Sequence, residues 1–268
     1  MPDNLFDLSG RIAVVTGAAS GLGRAMAIGL ARYGADIAAA DINDAGLAET
    51  VGQIKPLGRK AAVIPCDISQ AEQVDRLFEE VDRTFGRIDI LINDPYVIAR
   101  YKPEELSLDD WNRVLSVNLT GYFLCAQAAG KRMIKQGSGG SIINISSIAG
   151  SSALGRGNFV YSVTKGGINA FTRELAVEWA KHKIRVNAIQ PVQMLSPSVK
   201  KWLSDPKTDP ALPQRLLMGI PMNRLGEPED MVGPVVFLAS DASAFVTGTL
   251  LPVDGGNLAL NAGGSHTW

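Results

Sequence analysis

Short apolar runs rich in β-branched residues alternate along this chain with stretches whose apolar positions recur three and four residues apart. The first run, Arg11-Ile-Ala-Val-Val-Thr16, is too short for a buried helix and predicts a buried strand. Glycines follow at once (Gly17-Ala-Ala-Ser20-Gly21-Leu22-Gly23), and Ala25, Met26, Ile28, Leu30 and Ala31 then mark a helix that stops near Gly34. The same pattern predicts strands over 36–41, 61–66, 88–93, 141–144, 184–189 and 249–253. It predicts helices over 45–57, 71–85 and 229–240, and another carrying Tyr161, Phe171, Leu175 and Trp179. A long helical pattern opens at Asp109-Asp110-Trp111 and runs through Val114, Leu119 and Phe123 to Met133; Asn118 lies inside it, where a buried amide must find partners. From about 190 to 222 proline and polar residues interrupt the alternation, with short helical pieces near 199–203 and 214–218. That stretch is expected to be a lid over a site.

Alternation without a repeat or internal linker predicts one α/β domain over 1–268, a doubly wound (Rossmann) parallel sheet flanked by helices. Ligands of such sheets bind at the carboxyl ends of the strands. The glycine turn, Asp41, Asp67, Asn93, Ser147 and Gln190 all follow predicted strand ends, so topology alone puts them on one edge.

Composition narrows the function classes. With 268 residues, 46% hydrophobic, the chain has ample material for a core, and a net charge of -1 gives no field to recruit nucleic acid or an anionic membrane. Cys66 and Cys125 sit far apart in apolar runs and read as small core residues in a reducing compartment, not as a bridge or a metal site. His182, among lysines at a helix end, and His266, in the tail Gly-Gly-Ser-His-Thr-Trp, both read as solvated. The opening residues show no signal-like segment, and no apolar run approaches ~18 residues, so a cytoplasmic location is expected.

Chemistry enters at two places. Strand, glycine turn and helix in succession suit a dinucleotide: missing Cβ atoms let Gly17, Ser20, Gly21, Leu22 and Gly23 bring backbone amides to a diphosphate at a helix N-terminus. The spacing is G-x-x-x-G-x-G, so the usual fingerprint is not met literally. Asp41, at the second strand's end, can take the ribose hydroxyls and repel a 2′-phosphate, which favours NAD over NADP; the competing role is a cap on the next helix. Asp67 and Ile68 follow the third strand, where the adenine would lie, and Asp67 can equally form the turn into the next helix. The second place is Tyr161-Ser-Val-Thr-Lys165. Positions i and i+4 share a helix face, so the ammonium can approach the phenol and lower its pKa, which suits proton transfer to or from an alcohol. A strand-end serine hydroxyl can hold the alcohol oxygen.

Together these stretches resemble the short-chain dehydrogenase/reductase family over nearly the full length. The resemblance is carried by Thr16-Gly-Ala-Ala-Ser-Gly21-Leu-Gly23, Asp67-Ile-Ser, Ser116-Val-Asn118-Leu, Asn144-Ile-Ser-Ser147, Tyr161-Ser-Val-Thr-Lys165, Arg185-Val-Asn-Ala-Ile and Asp254-Gly-Gly. It implies NAD(P)-dependent alcohol oxidation or carbonyl reduction on a seven-stranded parallel sheet, usually in a homotetramer associating through the Trp111 and Tyr161 helices. It implies Tyr161 as general acid–base, Lys165 on the nicotinamide ribose, Ser147 (not its neighbour Ser146) on the substrate oxygen, and Asn118 holding a water of the proton route. Asn93 and Pro191 join the cofactor site by the same resemblance. Two departures touch that site. Asn93-Asp94-Pro95-Tyr96 stands where Asn-Asn-Ala-Gly is usual, and Pro191-Val192 stands for Pro-Gly, which forfeits a glycine's tolerance of positive φ.

The opening Leu5-Phe-Asp-Leu-Ser-Gly resembles the sugar-acid and polyol members, such as gluconate 5-dehydrogenases. The substrate expected is a secondary alcohol, or a hemiacetal, on a sugar, sugar acid or polyol. Arg100, Tyr101, Arg156, Asn158 and Gln193 are the loop residues placed to hydrogen-bond a polar or anionic one. A 3-oxoacyl thioester (acyl-carrier-protein) reductase is the rival enzyme, disfavoured by Asp41 because it commonly takes NADPH. A non-catalytic NAD-binding regulator is the rival class.

Overall fold

The strands form because they alternate. In β1 (Ile12–Thr16) Ala13 and Val15 pack into one core while Val14 packs into the other. The same division holds in β2 (Asp36–Asp41), with Ile37 and Ala39 against Ala38 and Ala40. The remaining strands are β3 (Ala61–Pro65), β4 (Ile90–Asn93), β5 (Gly140–Ile145), β6 (Ile184–Pro191) and β7 (Leu250–Val253). All pairings are parallel, in the order β3-β2-β1-β4-β5-β6-β7. The chain is seen here in a computed structural model that describes residues 4–206 and 208–260; His266 and the tail end lie outside that range.

The helices are α1 (Gly21–Arg32), α2 (Asp44–Ile54), α3 (Ala71–Phe85), α4 (Leu108–Leu115), α5 (Gly121–Gln136), α6 (Phe159–Trp179), α7 (Pro197–Ser204), α8 (Leu212–Met218) and α9 (Val232–Ala239). Helices α1, α2 and α9 bury Met26, Leu30, Val51 and Val235 on one face of the sheet. Helices α3, α5 and α6 bury Phe78, Tyr122 and Ile168 on the other, so the sheet is covered on both sides. Cys66 and Cys125 are free thiols in that second core, and burial pushes both thiols up.

Two predicted helices differ from expectation in an informative way. The long pattern from Asp109 to Met133 is not one helix: a π turn at Ser116–Thr120 separates α4 from α5 and carries the buried Asn118. Side-chain periodicity does not register a single widened turn, and such turns concentrate at functional sites. The helix predicted over 229–240 begins as a 3-10 turn at Pro228–Met231, and residues 55–57 likewise tighten after α2. Val192 adopts an ordinary negative φ; among the described residues the only non-glycine positive-φ positions are Lys183 and Asn223. The valine therefore introduces no backbone strain.

β1 pairs with β2 on one side and β4 on the other. The chain winds outward to β3 and returns across β1, so the switch point of the sheet falls between the ends of β1 and β4.

Candidate active site

The turn after β1 is built for close backbone approach. Gly17 has φ +76°, and a Cβ on Gly23 would stand 2.1 Å from the Gly17 carbonyl oxygen. Ser20 makes no side-chain bond to the first turn of α1, which leaves N–H donors there for an anion. Arg24 braces the turn from below, donating to the Gly46 carbonyl at 3.1 Å and to Thr50 Oγ1 at 3.0 Å. A cleft of about 940 Å³ opens over this edge and is lined by Gly17, Ser20, Gly21 and Leu22 at one end and by Tyr161 and Lys165 further along. These donors, with an uncrowded turn and a carboxylate at the end of β2, fit a dinucleotide.

The competing cap role for Asp41 falls away. Asn43 caps α2 by accepting the Gly46 N–H at 3.1 Å. Asp41 instead accepts from Ala19 N at 3.2 Å and Asn43 N at 3.0 Å, and its carboxylate edges the cleft. Asp67 also edges the cleft, but its Oδ1 accepts from Ser69 N at 2.9 Å and Ser69 Oγ at 2.7 Å, so its side chain forms the turn into α3. Ile68 and Pro191 line the wall. Asn93 does not: it is fully buried in the sheet, donating to Asn144 Oδ1 at 3.0 Å, with its own Oδ1 unpaired. Its side chain is thus packed inside the sheet, next to β5, and does not reach the cleft.

Ser147 and Tyr161 come together as expected: both line the cleft, and the Ser147 hydroxyl is close enough to favour the ionised form of the phenol. Ser147 Oγ also accepts from Ala149 N at 3.1 Å, and Gln190 steadies the serine loop by donating to Ser151 Oγ at 2.7 Å. Ser146 is turned away and donates to Asn169 Oδ1 at 2.7 Å. Lys165 is buried; its Nζ donates to the Ile145 carbonyl at 2.6 Å and lies 5.6 Å from the Tyr161 ring centroid. The phenol is not acidified, contrary to the simple i, i+4 argument. Burial raises the Tyr161 pKa above that of a free phenol, and the nearby Ser147 hydroxyl only partly offsets this. Burial also depresses Lys165, and the Asp94 carboxylate only partly offsets this.

The Asn118 side chain accepts from Val97 N at 2.8 Å and donates to Val97 O at 3.0 Å, clamping the segment after β4.

Of the loop candidates, Arg100, Arg156, Asn158 and Gln193 line the cleft. Tyr101 does not; it lies toward Asp110 of α4, where its hydroxyl helps hold that carboxyl ionised. The Arg100 guanidinium lies 4.3 Å from the Trp202 ring centroid on α7. Burial and the Arg100 charge lower the Arg156 pKa, and among the described residues neither arginine has a carboxylate partner. Sequence reasoning missed three cleft residues. Tyr96 packs edge-on to Tyr161 with centroids 6.0 Å apart, and Asp94 abuts the glycine turn. Both lie in the Asp94-Pro95-Tyr96 departure, which was the available signal. Trp202 gave none.

A family model described as enoyl-(acyl carrier protein) reductase matches residues 17–257. Among curated proteins, the chain is 41% identical over 254 residues to the 2-dehydro-3-deoxy-D-gluconate 5-dehydrogenase of Escherichia coli K12, covering 95% of this chain and 98% of that one. The chain belongs to the short-chain dehydrogenase/reductase family. D-threitol dehydrogenase of Mycolicibacterium smegmatis is 40% identical, with 94% of each chain covered. A solved structure provisionally assigned as an NAD(P)-dependent gluconate 5-dehydrogenase, from Beutenbergia cavernae with NADP bound at low occupancy, superposes with a TM-score of 0.89 at 38% identity, over 96% of this chain and all of that one. This family member is thus an NAD(P)-dependent oxidoreductase of CH–OH groups, on the seven-stranded sheet that the resemblance implied. Among the described residues no helix is long and apolar enough to cross a membrane.

Proposed function

We propose that the enzyme interconverts a secondary alcohol and a ketone on a sugar acid, using NAD. The observation that carries this reading is the meeting of Ser147 and Tyr161 in one cleft that also holds two guanidinium groups with no carboxylate partner among the described residues. Ser147 holds the substrate oxygen, Tyr161 takes the hydroxyl proton, and Lys165 binds the nicotinamide ribose and supplies positive charge near the phenol. The cofactor, when bound, accepts the hydride and brings its own positive charge to the site. Asn118 holds the Val97 segment in place and is the residue assigned to hold a water of the proton route. Gly17, Ser20, Gly21, Leu22 and Gly23 receive the diphosphate, Asp41 the adenosine ribose, and Asp67, Ile68 and Pro191 the rest of the cofactor wall. Asp41 would repel a 2′-phosphate, which supports NAD over NADP.

Arg100 and Arg156 fit a carboxylate, with Asn158 and Gln193 for hydroxyls. Several relatives are named for sugar acids and others for neutral polyols, so charge is the deciding property of the substrate. The stretch 190–222, with α7 and α8, serves as the lid: Ser196 Cβ lies 3.4 Å from where a Cβ on Gly21 would be, and Trp202 rests under Arg100. Exposed Phe123, Val163 and Val177 on α5 and α6 support association into a homotetramer of a cytoplasmic enzyme, checked by a solution mass. The test of function is a panel of keto-aldonates with NADH and of aldonates and neutral polyols with NAD, followed at the nicotinamide band. Turnover of neutral polyols alone would overturn the sugar-acid reading; tight NADH binding with no turnover on any member would favour a regulator.

A further inference from the structure

The switch point brings a carboxyl group into the space where an anion is to be held. Asp94 follows β4, beside β1, and is only 8% exposed. Its Oδ2 lies 2.9 Å from where a Cβ on Gly23 would stand and 3.3 Å from the matching point on Gly17. The Gly23 N–H, one of the first-turn donors of α1, faces this carboxyl and favours its ionised form. A diphosphate needs those same donors and the same positive end of the helix dipole. The chain thus carries its own candidate anion on the turn that an anionic ligand must use. An asparagine of the same shape would bring no charge there.

Charged and titratable groups face Asp94 from several elements. Lys165 on α6 favours the ionised carboxylate, Asp41 at the end of β2 opposes it, and the neutral phenols of Tyr161 on α6 and Tyr122 on α5 lie near. Burial outweighs the rest and pushes the carboxyl up to about 7. Both forms are therefore populated near neutrality.

We propose that Asp94 is a proton-linked gate on dinucleotide affinity: the neutral carboxyl accommodates a diphosphate at the glycine turn, and the ionised carboxylate opposes it. This rests on the dinucleotide reading above. The sign follows from charge. A second anion beside Asp94 raises its affinity for a proton, so binding takes a proton up, and affinity falls as pH rises through the Asp94 titration. Lys165 also loses charge as pH rises, but it serves the nicotinamide ribose, which ADP lacks. ADP therefore isolates the turn.

Calorimetric titration of ADP and NADH into the wild-type protein and Asp94→Asn, from about pH 6 to about pH 9, tests this. Wild-type affinity for ADP is expected to fall about tenfold across that range, and Asp94→Asn to lose most of the fall and bind ADP more tightly at the alkaline end. Near neutrality, wild-type binding heats measured in buffers of different ionisation enthalpy are expected to reveal proton uptake, a readout that needs no variant. An unchanged pH profile in Asp94→Asn, absence of proton uptake in the wild type, or weaker ADP binding by the variant at every pH would overturn the proposal. Failure of both proteins to bind ADP and NADH at any pH would instead bring down the dinucleotide reading itself.

Discussion

At the glycine turn the supporting polar groups are paired off: Arg24 holds the Gly46 carbonyl and Thr50, Asp41 holds Ala19 N, and Thr50 Oγ1 donates to the Ala18 carbonyl at 2.8 Å. At the rim of the same cleft, Arg100 and Arg156 are exposed, and Arg100 is held against α7 by the face of one indole. The turn is fixed by backbone approach and buried hydrogen bonds, so little can change there without loss of the fold. The rim is fixed by exposed side chains on loops, so it can change freely and set the substrate. A family keeps one chemistry and many substrates when its cofactor end and substrate end are built in these two ways.

Four substitutions sharpen or break that contrast. Tyr161→Phe, where turn and rim meet, is expected to cut turnover about 10³-fold while NADH binding, read by fluorescence titration, is retained. Residual activity near wild type would take the phenol out of the chemistry. Gly23→Ala drives a Cβ into the Gly17 carbonyl at 2.1 Å, a backbone contact that cannot yield cheaply. A loss of about 3 kcal/mol in urea unfolding is expected, with NADH binding abolished; a stable variant that binds would show the turn to be more pliant than its contacts indicate. Arg156→Ala is expected to raise KM for an acidic sugar about tenfold with kcat little changed. Its melting temperature should match wild type, since the side chain is exposed; a large drop would make the rim structural after all. Asp41→Ala should shift the NAD to NADP preference in kcat/KM about threefold toward NADP, the smallest expected change, because the 2′-phosphate gains room but no new cation.

The alternation of apolar runs and helical spacing was enough to place seven strands and most helices, since period two and period 3.6 are imposed by burial on each side of a sheet. It also placed the glycine turn, Asp41, Asp67 and Ser147 at one edge, because parallel order puts all strand ends together; Tyr161 and Lys165, on a helix, joined them only through the family resemblance. What periodicity could not show was local and three-dimensional. The π turn at Asn118 leaves the apolar spacing unchanged, and the clamp on Val97 joins positions 21 residues apart. Asn93 follows a strand as the cleft residues do, yet its side chain enters the sheet, a matter of which way one residue faces. Trp202 meets Arg100 only because a lid folds back.

The succession of strands and helices, the glycine turn and the motifs that carry the family resemblance were thus legible in the sequence alone, since each depends on residue types at short spacing. The acidity of the phenol, the charge on Lys165 and the hold of Asp94 on the turn were decided by tertiary structure. Burial sets those charges, and burial is a property of everything packed around a residue, not of its neighbours in the chain.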